Sequence, residues 1–264
     1  MQQVNDNGNP ASSRTIPPPL PSGIRPGPWD LRMTLILCVA GLGLTRAVPR
    51  ILNDLRAAAI YTRHGQFDIR SATPSFEAYY AMEITTHIIL VGLCIWVASF
   101  RRPYPLGEYL GLNCFSWRGL AVGLAMLAGC LTLYVGTQHL LHDRINLHPY
   151  FIYGSSKLPV LYWGRTVLLG PLASELFLSG LIFDGLSRSC LGWKWAIVIT
   201  GSTWMAFQFR FNPIAVFELL GAGLLLGWVR YKYKSTWTAL ALDMAHSALL
   251  SIRLVLYADH VINW

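Results

Sequence analysis

Seven long apolar runs, separated by short polar connections, dominate this sequence of 264 residues. A helix needs about 20 mainly apolar residues to cross the hydrocarbon core of a bilayer, and each run approaches or exceeds that length. The runs therefore predict an all-α polytopic transmembrane helix bundle with about seven spans. They are Leu31–Val48, Tyr80–Phe100, Gly119–Gln138, Leu158–Phe183, Trp193–Phe209, Pro213–Trp228 and Trp237–Tyr257.

The composition favours an integral, multi-pass membrane protein over a soluble enzyme. Charged residues make up 13% of the chain and the mean hydropathy is +0.41; soluble domains carry about 25% charged residues. The net charge of +8 comes from basic residues that are spread singly through the connections. A nucleic-acid-binding protein usually clusters them on one face. We therefore expect the lipid bilayer as a partner, and no nucleic acid.

The N-terminal region differs from the rest of the chain. Residues 1–30 contain seven of the 15 prolines, among Asn, Ser and Gly. Such a stretch buries too little apolar area to offset the entropy of ordering it. We expect a disordered Pro-rich tail over residues 1–30 and a transmembrane helical domain over residues 31–264.

The segment that follows the first run can be interpreted in two ways. Arg46–Tyr61 alternates apolar residues with charged ones. This pattern is typical of an amphipathic helix that lies on the membrane surface. It also fits a continuation of the first helix beyond Pro49, and the pattern alone does not choose between the two.

The distribution of Lys and Arg predicts the orientation in the membrane. The connections on the N-terminal side hold eleven of them, Arg230 included, and those on the opposite side hold eight. Short cytoplasmic loops are enriched in Lys and Arg. We therefore expect a cytoplasmic N-terminus. The short chain and its N-terminal tail favour a bacterial protein, so we expect it in the plasma (inner) membrane.

The sequence contains no familiar motif for a metal or a cofactor. His139, His142 and His148 share one connection, but no pattern places a further ligand, and we interpret them as solvated. The five cysteines are scattered, without a CxxC pair. There is no HExxH, GxSxG, Walker loop or dinucleotide fingerprint. We expect no metal and no cofactor.

Several ionisable residues lie inside the apolar runs, where a charge costs roughly 2.5–3.5 kcal/mol on insertion scales. In the last run, Asp243, His246, Leu250 and Arg253 fall within an arc of about 80° on a helix. This stripe predicts either an interhelical ion network or one wall of a polar cavity. The residues to which this cost applies are Glu83, His87, Arg165, Glu175, Glu218, Asp243, His246 and Arg253.

The second run carries its own pair of ionisable residues. Glu83 and His87 are four residues apart, so they share one face of a helix. We expect them to pair with each other, as a structural feature near a helix end.

Three motifs occur in order on three of the predicted helices. They read Pro171-Leu-Ala-Ser174-Glu175-Leu-Phe-Leu178-Ser179-Gly180, then Trp204-Met-Ala-Phe-Gln208, then His246-Ser-Ala-Leu-Leu250. They resemble the PLxEExxFRG, FxxxH and HxxxN motifs of the CPBP family, the CAAX-protease and bacteriocin-processing membrane proteins that include the type II CAAX prenyl endopeptidase. The resemblance makes residues 31–264 a CPBP-like helical domain and implies a glutamic-type intramembrane endopeptidase as its relative.

The resemblance also implies roles that this chain only partly keeps. In the family, the first Glu and the second-motif His activate water, and these positions are Ser174 and Gln208 here. The third-motif His and Asn, which stabilise the oxyanion, are His246 and Leu250 here. Ser and Gln cannot take a proton from water, and Leu offers no donor to an oxyanion. The motifs are degenerate.

Glu175 is the family's second Glu, and the Arg expected four residues later is Ser179. We expect Glu175 to pair instead with His246 or Arg253 of the last run. Glu175 and His246 are the candidate catalytic residues, and we expect them to face one cavity. The residues expected to line this cavity are Ser174, Ser179, Gln208, Asp243, Leu250 and Arg253.

These positions favour a membrane-embedded, CAAX-protease-like pseudoenzyme. Its inherited cavity would bind a membrane peptide, a lipidated peptide or a partner membrane protein without standard proteolysis. The alternative is an active intramembrane endopeptidase, a hydrolase with a rearranged site that uses Glu175 and His246. Whether the protein is an enzyme stays open at this point. A small transporter would rest on the buried charges alone, without an inverted repeat.

Overall fold

The structure is a computed structural model that describes residues 31–64, 75–100, 106–141, 158–208 and 213–262. Within these residues the chain forms helices and connections, without a strand. The predicted tail over residues 1–30 lies outside them. The helices are α1 (Leu31–His64), α2 (Phe76–Ser99), α3 (Leu106–Tyr109), α4 (Trp117–Leu140), α5 (Pro159–Ser187), α6 (Gly192–Phe207), α7 (Pro213–Tyr233) and α8 (Thr236–Ile262).

Six of these helices are long and apolar enough to cross a membrane, namely α1, α2, α4, α5, α7 and α8. The predicted all-α polytopic bundle is therefore confirmed. The fifth predicted span, Trp193–Phe209, corresponds to α6, which has 16 residues. At 1.5 Å per residue it rises about 24 Å, which is less than the ~30 Å of the hydrocarbon core.

Helix α1 continues without a break through Pro49. Its apolar stretch covers Leu31–Ala59. Of the two interpretations of the segment after the first run, the structure therefore has the continuation of the first helix and not a separate surface helix.

Helices α6 and α7 pack directly against each other, and their backbones touch. A Cβ atom on Gly223 would lie 2.5 Å from the carbonyl oxygen of Gly201. Gly227 meets Ile197 one turn further along, so the two helices run antiparallel. Small residues permit this approach of two helices in a membrane. Residues 209–212, which connect the two helices, lie outside the described residues.

Helix α5 lies at the centre of the bundle and is irregular. It contains two π-helical segments, Gly164–Leu169 and Leu176–Ile182, on either side of the α-helical turn Gly170–Glu175. The second segment is buried at every residue. Such segments are rare and frequently occur at functional sites. The di-glutamate-like motif therefore lies on the most buried and least regular span.

Candidate functional site

A buried polar cluster lies where α5, α6, α7 and α8 meet. Each of its polar members is at most 8% exposed, and Trp204 is 1% exposed. Hydrogen bonds and one ring contact connect five of these side chains across the four helices, and a hydrogen bond within α5 joins the other two. The members of the buried polar cluster are Ser174, Glu175, Ser179, Trp204, Glu218, Asp243 and His246.

Asp243 connects α8 to α5 and α6. Its Oδ2 atom accepts hydrogen bonds from Ser174 Oγ at 3.1 Å and from Trp204 Nε1 at 3.2 Å. Ser174 Oγ also lies 3.0 Å from the Gly170 carbonyl oxygen, so its single proton is shared between acceptors. The position where the resembling family has its first Glu thus has a carboxylate beside it, which α8 supplies instead of α5.

His246 is held by Glu218, which projects from α7. The distance from His246 Nε2 to Glu218 Oε1 is 2.7 Å, and both side chains are 3% exposed. The Trp204 ring packs against the imidazole with 5.5 Å between the ring centroids. Glu218 was recognised in the sequence as an ionisable residue of a span but not as a site residue. The sequence signal that could have identified Glu218 as a site residue is the presence of an ionisable side chain within an apolar helix.

Glu175 is bonded within its own helix. Ser179 Oγ donates a hydrogen bond to Glu175 Oε2 at 2.5 Å. The expected pairing of Glu175 with His246 or Arg253 is wrong, because α7 places the Glu218 carboxylate against the imidazole. The Glu175 carboxylate is thus hydrogen-bonded to a hydroxyl group one turn along α5.

Arg253 lies outside the buried polar cluster. Its Nη2 atom donates to Gln138 Oε1 on α4 at 2.7 Å, and its guanidinium lies 5.1 Å from the Tyr134 ring centroid. Gln208 and Leu250 are half-buried and are also not among the cluster's members. The expected cavity-lining set therefore divides between the cluster and its surroundings.

Arg230, near the end of α7, occupies the neighbourhood of the missing family Arg. Its Nε atom donates to the Ser179 carbonyl oxygen at 2.8 Å, and Nη2 donates to Asp184 Oδ1 at 3.1 Å. Glu175 is close enough for the two charges to interact. Arg230 is 4% exposed. The prediction that it is one of the basic residues of a connection is therefore wrong. Gly111 has a φ of 61° and packs against the Arg230 guanidinium, so any side chain at position 111 would overlap it.

A second ionic contact joins α2 to the first π-helical segment of α5. Arg165 Nη2 lies 2.6 Å from Glu83 Oε2. His87 Nδ1 is hydrogen-bonded to the Glu83 backbone carbonyl oxygen at 2.6 Å, not to the carboxylate. The expected Glu83–His87 ion pair is therefore wrong, because Arg165 offers Glu83 a permanent cation from the neighbouring helix.

The chemistry of the buried polar cluster is that of hydrogen bonding. In the part of the chain that the structure describes, no three His, Cys, Asp or Glu side chains converge as metal ligands. His142 and His148 lie outside that part.

Asp243 Oδ1 and His246 Nδ1 are buried and have no hydrogen-bond partner among the described residues. The cluster therefore keeps one acceptor on a carboxylate and one nitrogen on an imidazole that a ligand could use.

We expect Glu175→Gln to leave the stability almost unchanged. The Gln carbonyl oxygen still accepts from Ser179, and Arg230 keeps its bonds to Asp184 and the Ser179 carbonyl. The free energies of unfolding of the wild type and the variant, measured in detergent, should agree within about 1 kcal/mol. A large loss in Glu175→Gln would show instead that Glu175 is an essential counter-ion of Arg230.

Comparison with known proteins agrees with the motif resemblance. Residues 156–249 match the family model of the type II CAAX prenyl endopeptidase, Rce1-like. No curated protein and no solved structure matches the chain. The match spans α5, α6, α7 and the first half of α8, and every member of the buried polar cluster falls within it. The chain is a multi-pass membrane protein, and its residues 156–249 are similar to the Rce1-like type II CAAX prenyl endopeptidases.

Proposed function

We propose that this protein binds a membrane peptide, a lipidated peptide or a partner membrane protein and does not cleave it. The observation that carries the proposal is the residue at position 174 and its hydrogen bond. A Ser hydroxyl replaces the family's base there and is bonded to Asp243 inside a closed cluster. A general base must reach the proton of a water molecule, whereas the Ser174 hydroxyl cannot take that proton and the Asp243 oxygen beside it is already hydrogen-bonded to Ser174 and Trp204.

The ligand would enter beside the half-buried residues around the cluster, chiefly Gln208 and Leu250. The six long apolar helices would place this region within the bilayer, so a ligand that partitions into the bilayer could reach it laterally. We also propose a cytoplasmic N-terminus, from the Lys and Arg distribution, and the plasma (inner) membrane of a bacterium, from the short chain and its N-terminal tail.

The proposal is tested by measuring binding and cleavage in the same sample. Two fluorescent peptides of identical CAAX-type sequence, one farnesylated and one unmodified, are added to the full-length protein in nanodiscs. We expect saturable binding of at least one peptide, which mass spectrometry then finds intact. Absence of saturable binding for both peptides, or cleavage of either, contradicts the proposal. Comparing the two peptides also shows whether the lipid is required.

A pair of neighbouring variants tests the location of the ligand. Leu250 is half-buried, whereas the neighbouring Leu249 is 46% exposed. We expect Leu250→Trp to weaken binding of the peptide by about tenfold, because the larger ring fills the space the ligand needs. Leu249→Trp should leave the affinity unchanged. Equal affinities for the two variants would place the ligand elsewhere.

Hydrolysis by a rearranged site is a second candidate function. The observation that favours it is the Glu218–His246 contact, because a carboxylate that orients an imidazole is a common arrangement for a general base. This site would differ from the expected Glu175–His246 pair, since Glu175 is bonded to Ser179. Cleavage that disappears in a folded His246→Asn variant would support hydrolysis and contradict binding alone.

A further inference from the structure

One end of the bundle carries exposed aromatic and basic side chains that we call the aromatic–basic rim. They lie at the starts of α4, α6 and α8 and at the ends of α5 and α7. Its aromatic residues, which are 37% to 76% exposed, are Trp117, Trp193, Trp195, Tyr231 and Trp237. Its basic residues, all exposed, are Arg118, Arg188, Lys194, Lys232 and Lys234.

Contacts between helix ends place this rim on one side of the molecule. The Trp193 ring at the start of α6 stacks on the Tyr231 ring at the end of α7, with centroids 4.3 Å apart and planes 10° apart. The backbone N of Ser116, before α4, donates to Thr238 Oγ1 at the start of α8 at 3.0 Å. The rim is thus a continuous surface and not a set of unrelated residues.

The rim has an excess of positive charge. Asp184, a carboxylate at this end, is already paired with Arg230 at 3.1 Å and with Arg188 at 3.4 Å. Lys194 and Lys232 each have Nζ 5.7 Å from the centroid of a Trp ring. Within the described ranges, the basic residues of the rim other than Arg188 form no ion pair with a carboxylate.

We propose that the aromatic–basic rim binds the headgroups of anionic phospholipids. Trp and Tyr rings favour the boundary between hydrocarbon and water, and Lys or Arg beside that boundary attract an anionic leaflet. Gly185 of α5 packs on Thr34, so the start of α1 lies at this same end. The anionic leaflet of a plasma membrane faces the cytoplasm, and the rim therefore fits the proposed cytoplasmic N-terminus.

The test compares phosphatidylglycerol with phosphatidylcholine as ligands of the full-length protein in neutral detergent. Native mass spectrometry counts the bound lipids over a titration. We expect tighter binding of phosphatidylglycerol, and the preference should weaken as salt is added. Lys194→Gln combined with Lys232→Gln should reduce the affinity for phosphatidylglycerol by about tenfold. The affinity for phosphatidylcholine should stay constant.

A charge-matched double variant serves as the control. Arg46→Gln with Arg50→Gln also removes two exposed charges, but Arg46 contacts Ala206 at the end of α6, opposite the rim. This variant should keep the preference for phosphatidylglycerol. An equal loss in both double variants, or no preference in the wild type, overturns the proposal. Displacement of the lipid by a single-stranded oligonucleotide at equal concentration would also overturn it, in favour of a nucleic-acid surface.

Discussion

Gly223→Ala should lower the free energy of unfolding by about 3 kcal/mol. The added Cβ would lie 2.5 Å from the Gly201 carbonyl oxygen. Both residues lie within helices, so neither backbone can move aside independently. The α6–α7 contact must therefore open, which disturbs Trp204 on α6 and Glu218 on α7 together. Thermal or denaturant unfolding in detergent measures the change.

Gly221→Ala is the matched control on the same helix. Nothing lies within 4 Å of a Cβ atom at Gly221, so the substitution only removes the conformational freedom of a helical glycine. We expect it to stabilise the protein by about 0.5–1 kcal/mol. If Gly223→Ala and Gly221→Ala behaved alike, the backbone contact between α6 and α7 would be refuted.

Glu218→Leu should destabilise the protein by about 3–5 kcal/mol. The substitution leaves His246 buried, with neither of its ring nitrogens hydrogen-bonded to the residues that now contact it. An unpaired polar group in this environment loses its interactions with water without a replacement. The reverse variant, His246→Leu, leaves the Glu218 carboxylate buried alone and should be destabilised to a similar extent.

The double variant Glu218→Leu/His246→Leu separates pairing from packing. Replacing both partners of a buried pair by apolar residues is often neutral or stabilising by about 1–4 kcal/mol. We expect the double variant to recover most of the stability lost in each single variant. A strictly additive loss would show that the two side chains do not depend on each other. Recovered stability with lost ligand binding would assign the pair a role in function.

The sequence predicted the helices far better than the contacts between them. Apolar runs specify a span because the bilayer demands about 20 apolar residues whatever the neighbours are. The partner of His246 is Glu218, 28 positions away on another helix, and no periodicity within a single helix contains that information. The same limit explains the incorrect partners assigned to Glu83 and Glu175.

The region around Arg230 shows a different limit of sequence analysis. A basic residue near the end of an apolar run is usually solvent-exposed, and the positive-inside rule treats it so. Here Asp184 and the backbone around Gly111 enclose the guanidinium. The π-helical segments of α5 were also not predicted, because they change the angle between successive side chains without a change in composition.

The length of α6 has a consequence for how the chain enters the membrane during synthesis. A segment of 16 residues is a weak signal for insertion when it emerges alone, since it falls short of the hydrocarbon thickness. Its stable position depends on α7, which is made afterwards and meets it at Gly201 and Gly223. We therefore expect α6 to integrate together with α7, as one hairpin that leaves the insertion machinery only after both helices have been translated.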